Sequence, residues 1–278
     1  MRSLSTVLSI AGATAFAKQG ASSLIQRTEE LELRIMPLGA SIVNGVGSDP
    51  DHNGFRGPLR SALRFNGFPV DMVGFNKDGT IEDNDNEGTP GAIIDETPEH
   101  FDRSSNFKPN VVVINLGTND ANRDIDIAGG KQRMSDLLAH IWDAPDMAGA
   151  CIFLSTLIPS GLDNGIRNGP TLNGYYRELV GELRDQHCIY LADMDPAEGD
   201  AHDWIRPDLN DDGIHPNVEG HRKMAYVFWQ AILQAYNDGR IQPPVPMEEP
   251  NNNMGDGGSC CDDPALPVQP GTTPIGPN

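Results

Sequence analysis

Five short apolar runs punctuate the chain: LRIMPLG (Leu33–Gly39), VDMVGF (Val70–Phe75), VVVINLG (Val111–Gly117), CIFLSTLI (Cys151–Ile158) and CIYLADM (Cys188–Met194). Each is nearly continuous rather than alternating, rich in Val, Ile, Leu or Met, and closed by turn residues. Strands covered on both faces read this way, because neither set of side chains meets water. Between the runs lie apolar positions at helical spacing. FRGPLRSALRFNG carries Leu59 and Leu63, MSDLLAHIW carries Met134, Leu137, Leu138 and Ile141, and LNGYYRELVGELRDQ carries Leu172, Tyr176, Leu179 and Leu183. A last helix is predicted over VEGHRKMAYVFWQAILQAY with Asn217 as its N-cap. Strands alternating with helices imply βαβ units and a parallel sheet in a doubly wound, three-layer α/β/α sandwich. Ligands of such sheets bind outside the carboxyl ends of the strands, so the chemistry is expected in the segment after each run.

The two ends of the chain break the pattern. Residues 1–17 (MRSLSTVLSIAGATAFA) place Arg2 before a mildly apolar stretch that ends in Ala15-Phe16-Ala17. That is the order of a secretory signal, with a frayed N-terminal segment as the alternative reading. Residues 18–32 form a lead-in, residues 33–240 the domain, and residues 241–278 a tail of Pro, Gly, Asn and acidic residues without the apolar periodicity that would repay ordering.

Composition narrows the partners. With 40 acidic against 20 basic residues the formal charge is −20, which disfavours nucleic acid and anionic membranes and suits neutral substrates. No later run approaches the length of a membrane span. A monomer is expected. The four cysteines, Cys151, Cys188, Cys260 and Cys261, include no C-x-x-C pair that would suggest zinc or redox chemistry. Cys151 and Cys188 each open a strand-like run. They stand either as paired neighbours or as two buried thiols, and the sequence does not choose.

The strand ends collect a hydroxyl, glycines, a carboxamide, a carboxylate and an imidazole. The first run closes in Gly39-Ala40-Ser41. The second leads to GFNKDGTIEDNDNEGTPGAI, the third ends in GTND (Gly117–Asp120), and DDGIHPN (Asp211–Asn217) comes after the fifth. Ester hydrolysis needs a nucleophile, a base, a group that orients the base, and donors for the developing oxyanion. Ser41 is the candidate nucleophile, turned tightly between Gly39 and Gly45. His215 is the candidate base. Asp212, three residues earlier, is placed to fix its tautomer. The Ser41 N–H, the Gly91 N–H and the Asn119 side chain are the candidate oxyanion donors, and Asp120 is expected to brace its loop. His221 is expected on the surface of the last helix, and His52, His100, His140, His187 and His202 show no comparable partners.

Other readings of the same residues fail or weaken. GASIVNGVG lacks the spacing of a P-loop or a dinucleotide fingerprint. It also lacks the G-x-S-x-G elbow of the α/β-hydrolases. Asp83, Asp85, Glu87 and Gly88 imitate the start of an EF-hand, but the twelfth position is Ile94 where that loop needs Glu. Those residues are expected to make turns at the pocket edge, with a cation site of another kind as the alternative. Tyr175, Tyr176 and Trp204 are candidates for the rim.

GASI, the glycine-rich second block, GTND and DGIHP resemble, in order and spacing, the blocks of the SGNH (GDSL-type) hydrolases. The likeness covers roughly Leu33 to Tyr236. The fuller combination PLGASI, VDMVGF, DNDNEGTPG, GTND and DGIHPN is similar to carbohydrate esterase family 3 in a fungal type, a family of acetylxylan esterases. The resemblance implies a flavodoxin-like fold with a five-stranded parallel sheet in the order 2-1-3-4-5. It implies no metal or other cofactor, with Ser41 as nucleophile, Asp212 and His215 as acid and base, and Ser41, Gly91 and Asn119 as the oxyanion hole. The expected activity is a secreted serine esterase that removes short acyl groups, acetyl foremost, from plant polysaccharide. The alternatives are action on lipid or small-molecule esters and a non-catalytic carbohydrate-binding relative. One position departs from the family: Ala40 stands where the name motif has Asp, which questions what supports the serine turn.

Overall fold

The computed structural model describes residues 31–195 and 208–247. The expected leader, Trp204, His202, the Cys260–Cys261 pair and most of the tail lie outside them. A central sheet is built from β1 (Leu33–Gly39), β2 (Val70–Met72), β3 (Asn76–Lys77), β4 (Asp85–Gly88), β5 (Val111–Asn115), β6 (Cys151–Ser155) and β7 (Ile189–Ala192). The helices are α1 (Ser41–Asn44), α2 (Arg56–Phe65), α3 (Thr97–Asp102), α4 (Thr118–Arg123), α5 (Gly130–Asp143), α6 (Asp163–Leu183) and α7 (Val218–Asn237).

The apolar runs are strands for the reason their composition suggests. Along β1, Leu33 and Ile35 face one layer and Met36 and Leu38 the other. β5 and β6 alternate in the same way, Val111, Val113, Cys151 and Phe153 against Val112, Ile114, Ile152 and Leu154. One layer is completed by Leu59 and Leu63 of α2 with Met224, Phe228 and Ile232 of α7. The other is completed by Phe101 of α3, Leu137 and Ile141 of α5, and Leu172 and Tyr176 of α6. Both faces of these strands are therefore dry, and none of the three shows a solvated side.

The strand count and order differ from expectation. The sheet has seven strands in the order β3-β4-β1-β5-β6-β7, with β2 also on β1, rather than five in the order 2-1-3-4-5. The departure lies at one edge. β2 pairs with Leu33–Ile35 of β1, while β4 pairs further along with Leu38 and Gly39. Between them the chain leaves the sheet at Gly74, packed where a Cβ would fall 2.2 Å from the Asn86 backbone. It returns through β3, which runs antiparallel to β4.

β4 is the polar sequence DNEG, expected as turns at the pocket edge, and every residue of it is buried. Its carboxylates, and that of Asp83 before it, meet cations. Asp83 accepts from Arg60 Nε at 3.0 Å, Asp85 from Lys77 Nζ at 2.5 Å, and Glu87 from Arg103 Nη2 at 2.8 Å. A strand whose side chains are satisfied by remote cations carries no apolar signature. Among the described residues no group of three His, Cys, Asp or Glu converges as a metal site.

Cys151 and Cys188 are joined as a disulfide with Cα atoms 4.5 Å apart. The composition change at residue 241 does not coincide with the end of packing. Ile241 is buried, and the Gln242 carbonyl accepts from Asn110 Nδ2 at 2.8 Å.

Candidate active site

β1 delivers Ser41 to the carboxyl end of the sheet. Gly39 permits the exit, since a Cβ there would fall 2.1 Å from the Asn115 carbonyl oxygen on β5. Ala40 is buried among apolar residues of the α5 and α6 layer, and its side chain caps nothing. Ser41 then opens the four-residue helix α1. The turn is supported by backbone: Thr89 N–H donates to the Gly39 carbonyl at 3.0 Å, and the Gly45 and Val46 N–H groups both donate to Ser41 O at 3.0 Å.

The DDGIHPN segment folds over this serine. Ser41 Oγ lies 2.8 Å from His215 Nε2, and His215 Nδ1 lies 2.7 Å from Asp212 Oδ2. The other Asp212 oxygen accepts the Ile214 and His215 N–H groups at 2.8 and 3.0 Å. Partial burial acts to raise the Asp212 carboxyl. The hydrogen bonds from His215 and from the two backbone N–H groups outweigh it, and the net shift is below the ordinary value. Asp212 is therefore ionised at neutral pH and favours the tautomer with its proton on Nδ1, leaving Nε2 to accept from Ser41. Downstream, Asn217 caps α7 as expected, accepting from Glu219 and Gly220 N–H at 2.9 and 3.0 Å.

Asn119 and Gly91 are brought together by the chain beyond β4. Asn119 Nδ2 donates one hydrogen to Ala92 O at 2.9 Å, which leaves its second N–H available. The Gly91 carbonyl is held by Arg123 Nη1 at 3.1 Å. Neither the Gly91 nor the Ser41 N–H has a backbone acceptor among the described residues. Asp120 braces this loop: its buried carboxylate takes Arg133 Nη1 at 2.6 Å and the Ile94 N–H. Burial raises the Asp120 carboxyl above its ordinary value despite those donors.

Three expectations are corrected. His221 is 1 % exposed, not on the surface of α7, and its Nε2 lies 3.2 Å from Val46 O, directly beneath the serine turn. Tyr176 is fully buried rather than on the rim. It sits on the apolar face of α6 and donates its hydroxyl to Leu116 O at 3.1 Å. His52 and His140 do meet carboxylates, Asp49 at 2.9 Å and Asp102 at 2.7 Å. What distinguishes His215 is the serine on its second ring nitrogen.

Arg56 lies outside every motif in the sequence, yet it is buried with five hydrogen bonds to backbone carbonyls. A signal for it exists. Arg56, Arg60 and Arg64 recur every four residues on one face of α2, and all three are buried.

Comparison with known proteins gives this constellation its relatives. The chain is 28% identical over 252 residues to a multidomain esterase of Ruminococcus flavefaciens, covering 78% of this chain and 31% of that protein. It is 28% identical over 148 residues to an acetylxylan esterase of Xylanibacter ruminicola, covering 45% of this chain and 29% of that one. It thus spans about a third of the length of these curated relatives. Among solved structures, a family 3 carbohydrate esterase of Clostridium thermocellum superposes with a TM-score of 0.62 at 20% identity, covering 75% of this chain and 99% of that one. A family 3 carbohydrate esterase of Talaromyces cellulolyticus superposes at 0.59 and 22%, covering 74% and 99%. These likenesses establish a shared fold. The model of the GDSL-like lipase/acylhydrolase family matches residues 38–223, from the end of β1 to the first turns of α7, and the chain belongs to that family.

Proposed function

We propose that this domain is a serine carboxylic ester hydrolase that removes short acyl groups, acetyl foremost, from plant cell-wall polysaccharide such as xylan. The observation that carries the reading is the continuous chain from Ser41 Oγ to His215 Nε2 at 2.8 Å and from His215 Nδ1 to Asp212 at 2.7 Å. In the proposed reaction His215 takes the Ser41 proton as Oγ attacks the ester carbonyl. The oxyanion is received by the Ser41 and Gly91 N–H groups and the Asn119 side chain. His215 returns the proton to the departing sugar hydroxyl, leaving an acyl-serine. Water, deprotonated by the same histidine, then releases the carboxylic acid and restores Ser41.

The substrate class draws support from the named activity of one relative, an acetylxylan esterase, and from the net charge of −20, which suits an uncharged polymer. Secretion is part of the reading, and the Cys151–Cys188 disulfide supports it because such bonds persist in oxidising compartments. The test is acetate release from a panel of acetylated polysaccharides, alongside p-nitrophenyl esters of increasing chain length. Acetate esters are expected to be preferred and acetylated xylan to be hydrolysed. A Ser41→Ala protein that kept its activity would overturn the mechanism, and a preference for long acyl chains would overturn the substrate class.

A further inference from the structure

Arg56 and Arg60 stand one turn apart on α2, and both guanidinium groups are buried. Arg60 meets a carboxylate, Asp83, at 3.0 Å. Arg56 is 0% exposed and spends its hydrogen bonds on backbone carbonyls instead. Its Nε donates to Val43 O at 2.9 Å and its Nη1 to Asn84 O at 2.9 Å. Its Nη2 reaches Asn44 O at 2.9 Å, Asp78 O at 2.7 Å and His52 O at 3.2 Å.

Those carbonyls are not a random set. Val43 and Asn44 close the helix that Ser41 opens, and the last carbonyls of a helix lack partners within it. Asp78 and Asn84 belong to the polar excursion that becomes β4 and then the Thr89–Gly91 segment. The end of β4 also presses on α1: a Cβ at Gly88 would fall 2.3 Å from the Asn44 nitrogen. Beside this, Val46 O accepts from the buried His221 Nε2. Burial pushes the His221 ring down to about 4, so it is neutral at neutral pH, with its one proton on the nitrogen that faces the carbonyl. Ala40 offers the turn no side-chain hydrogen bond from above. Its support comes from below.

We propose that Arg56 is a positioning residue for the nucleophile, one buried cation that ties the exit of the Ser41 helix to the segment leading to Gly91. This rests on the reading of Ser41 as nucleophile. A guanidinium is suited to the task because its planar fork serves several fixed acceptors at once. A lysine ammonium in the same place is a point charge without that geometry. Displacing the serine by about an ångström is enough to cost on the order of 100-fold in rate with little effect on ground-state binding.

The experiment compares Arg56→Met, Arg56→Lys and Arg60→Met with the wild type, using kcat and KM on p-nitrophenyl acetate and the rate of Ser41 labelling by an organophosphonate. Each protein is checked by near-UV circular dichroism and thermal unfolding, and rates are taken per folded molecule. Arg56→Met is expected to lose about 100-fold in kcat with KM within about threefold, and the labelling rate should fall in parallel. Arg56→Lys should recover only in part, to about tenfold below wild type. Arg60→Met should lower the melting temperature and leave kcat near wild type. Wild-type kcat and labelling in a folded Arg56 variant would overturn the proposal, as would an equal loss in Arg60→Met. If Arg56→Met does not fold, the kcat of Arg56→Lys decides in the same way. If the wild-type protein is not labelled at Ser41 and Ser41→Ala stays active, the functional reading itself falls and this proposal with it.

Discussion

Ser41 rises from a turn packed from beneath, with Ala40, Ile42 and Val43 buried and Arg56 and His221 bonded to its carbonyls. His215 and Asp212 sit on a loop above, their side chains 18% and 47% exposed. That loop is held mainly by its own backbone. Asn210 N–H donates to His215 O at 2.9 Å, Leu209 pairs with Pro216, and Asp212 gathers the Ile214 and His215 N–H groups. Among the described residues it meets its neighbours through a 2.7 Å bond from Gly161 N–H to Gly213 O and a 3.1 Å bond from Asn210 Nδ2 to Gly47 O. Ser41 is thus fixed by the core and His215 by a local turn. Damage to the first should fall on fold and rate together, and damage to the second on rate alone.

The largest effects, those of Ser41→Ala and His215→Ala, set the baseline for this contrast, since each removes one side chain and leaves both supports in place. Both are expected to reduce kcat by on the order of 10⁴-fold or more, with melting temperatures close to wild type because neither side chain is packed in the core. Asp212→Asn comes next. It keeps the shape but weakens the tautomer preference, and a loss of about 10²–10³-fold in kcat is expected, less than for a buried partner because water screens this half-exposed pair. A melting temperature that fell steeply in this variant would break the contrast, since it would make the upper loop part of the core.

Gly47 is where the two regions meet. It has φ +95°, and a Cβ there would fall 2.5 Å from Pro216 O and 2.9 Å from His215 Cβ. Gly47→Ala is expected to destabilise by about 1–3 kcal/mol and to lower kcat by roughly tenfold, because the loop must move off the serine. Thermal unfolding and steady-state rates on the same sample check both halves of that statement.

The smallest effect sharpens the comparison through pH. His221, beneath the serine, is pushed down to about 4 by burial, with the Arg56 and His215 charges adding to it and the Val46 hydrogen bond opposing. Asp71, on β2 at the other end of the sheet, is pushed up to about 7 by burial and by Asp83, against Arg34. For His221 the unfolded chain binds the extra proton, so its stabilisation is present above about 6.5 and lost as pH falls through about 4. For Asp71 the folded chain binds it, so its stabilisation is present below about 3.8 and lost as pH rises through about 7. The two slopes oppose each other between pH 4 and 6.5. Relative to wild type, Asp71→Asn should therefore gain stability as pH rises across that window, and His221→Asn should lose it. Urea unfolding at several pH values checks the signs, and the same sign in both variants would refute them.

The sequence makes the apolar half of this molecule legible. The runs at Leu33, Val111 and Cys151 read as doubly covered strands because every residue of β1, β5 and β6 is buried. The N-cap at Asn217 is readable because its effect is local. Ser41, Asn119, Asp212 and His215 stand out because each comes after a strand or opens a turn within a recognisable block. The polar interior is not legible. β4 reads as DNEG, Arg56 as one more charge on an amphipathic helix, and His221 as a solvent-facing ring. The partners that make burial tolerable lie outside the local hydropathy pattern, from Lys77 for Asp85, eight positions away, to Val46 for His221, 175 positions distant. A hydropathy pattern records what a side chain would prefer alone, not what a remote carbonyl or carboxylate offers it.

The Cys151–Cys188 bond has a consequence of its own. It joins the start of β6 to the residue before β7, at a sequence separation of 37, and so closes β6, α6 and their connections into a covalent ring. A single cut by a protease at the exposed Gly161–Leu162 corner would leave two fragments that still migrate as one until a reductant is added. The ring also shortens the unfolded chain's reach, worth about 4 kcal/mol in a chain-entropy treatment. It is tied where β6 and β7 begin, at the end of the sheet opposite the one from which Ser41 emerges.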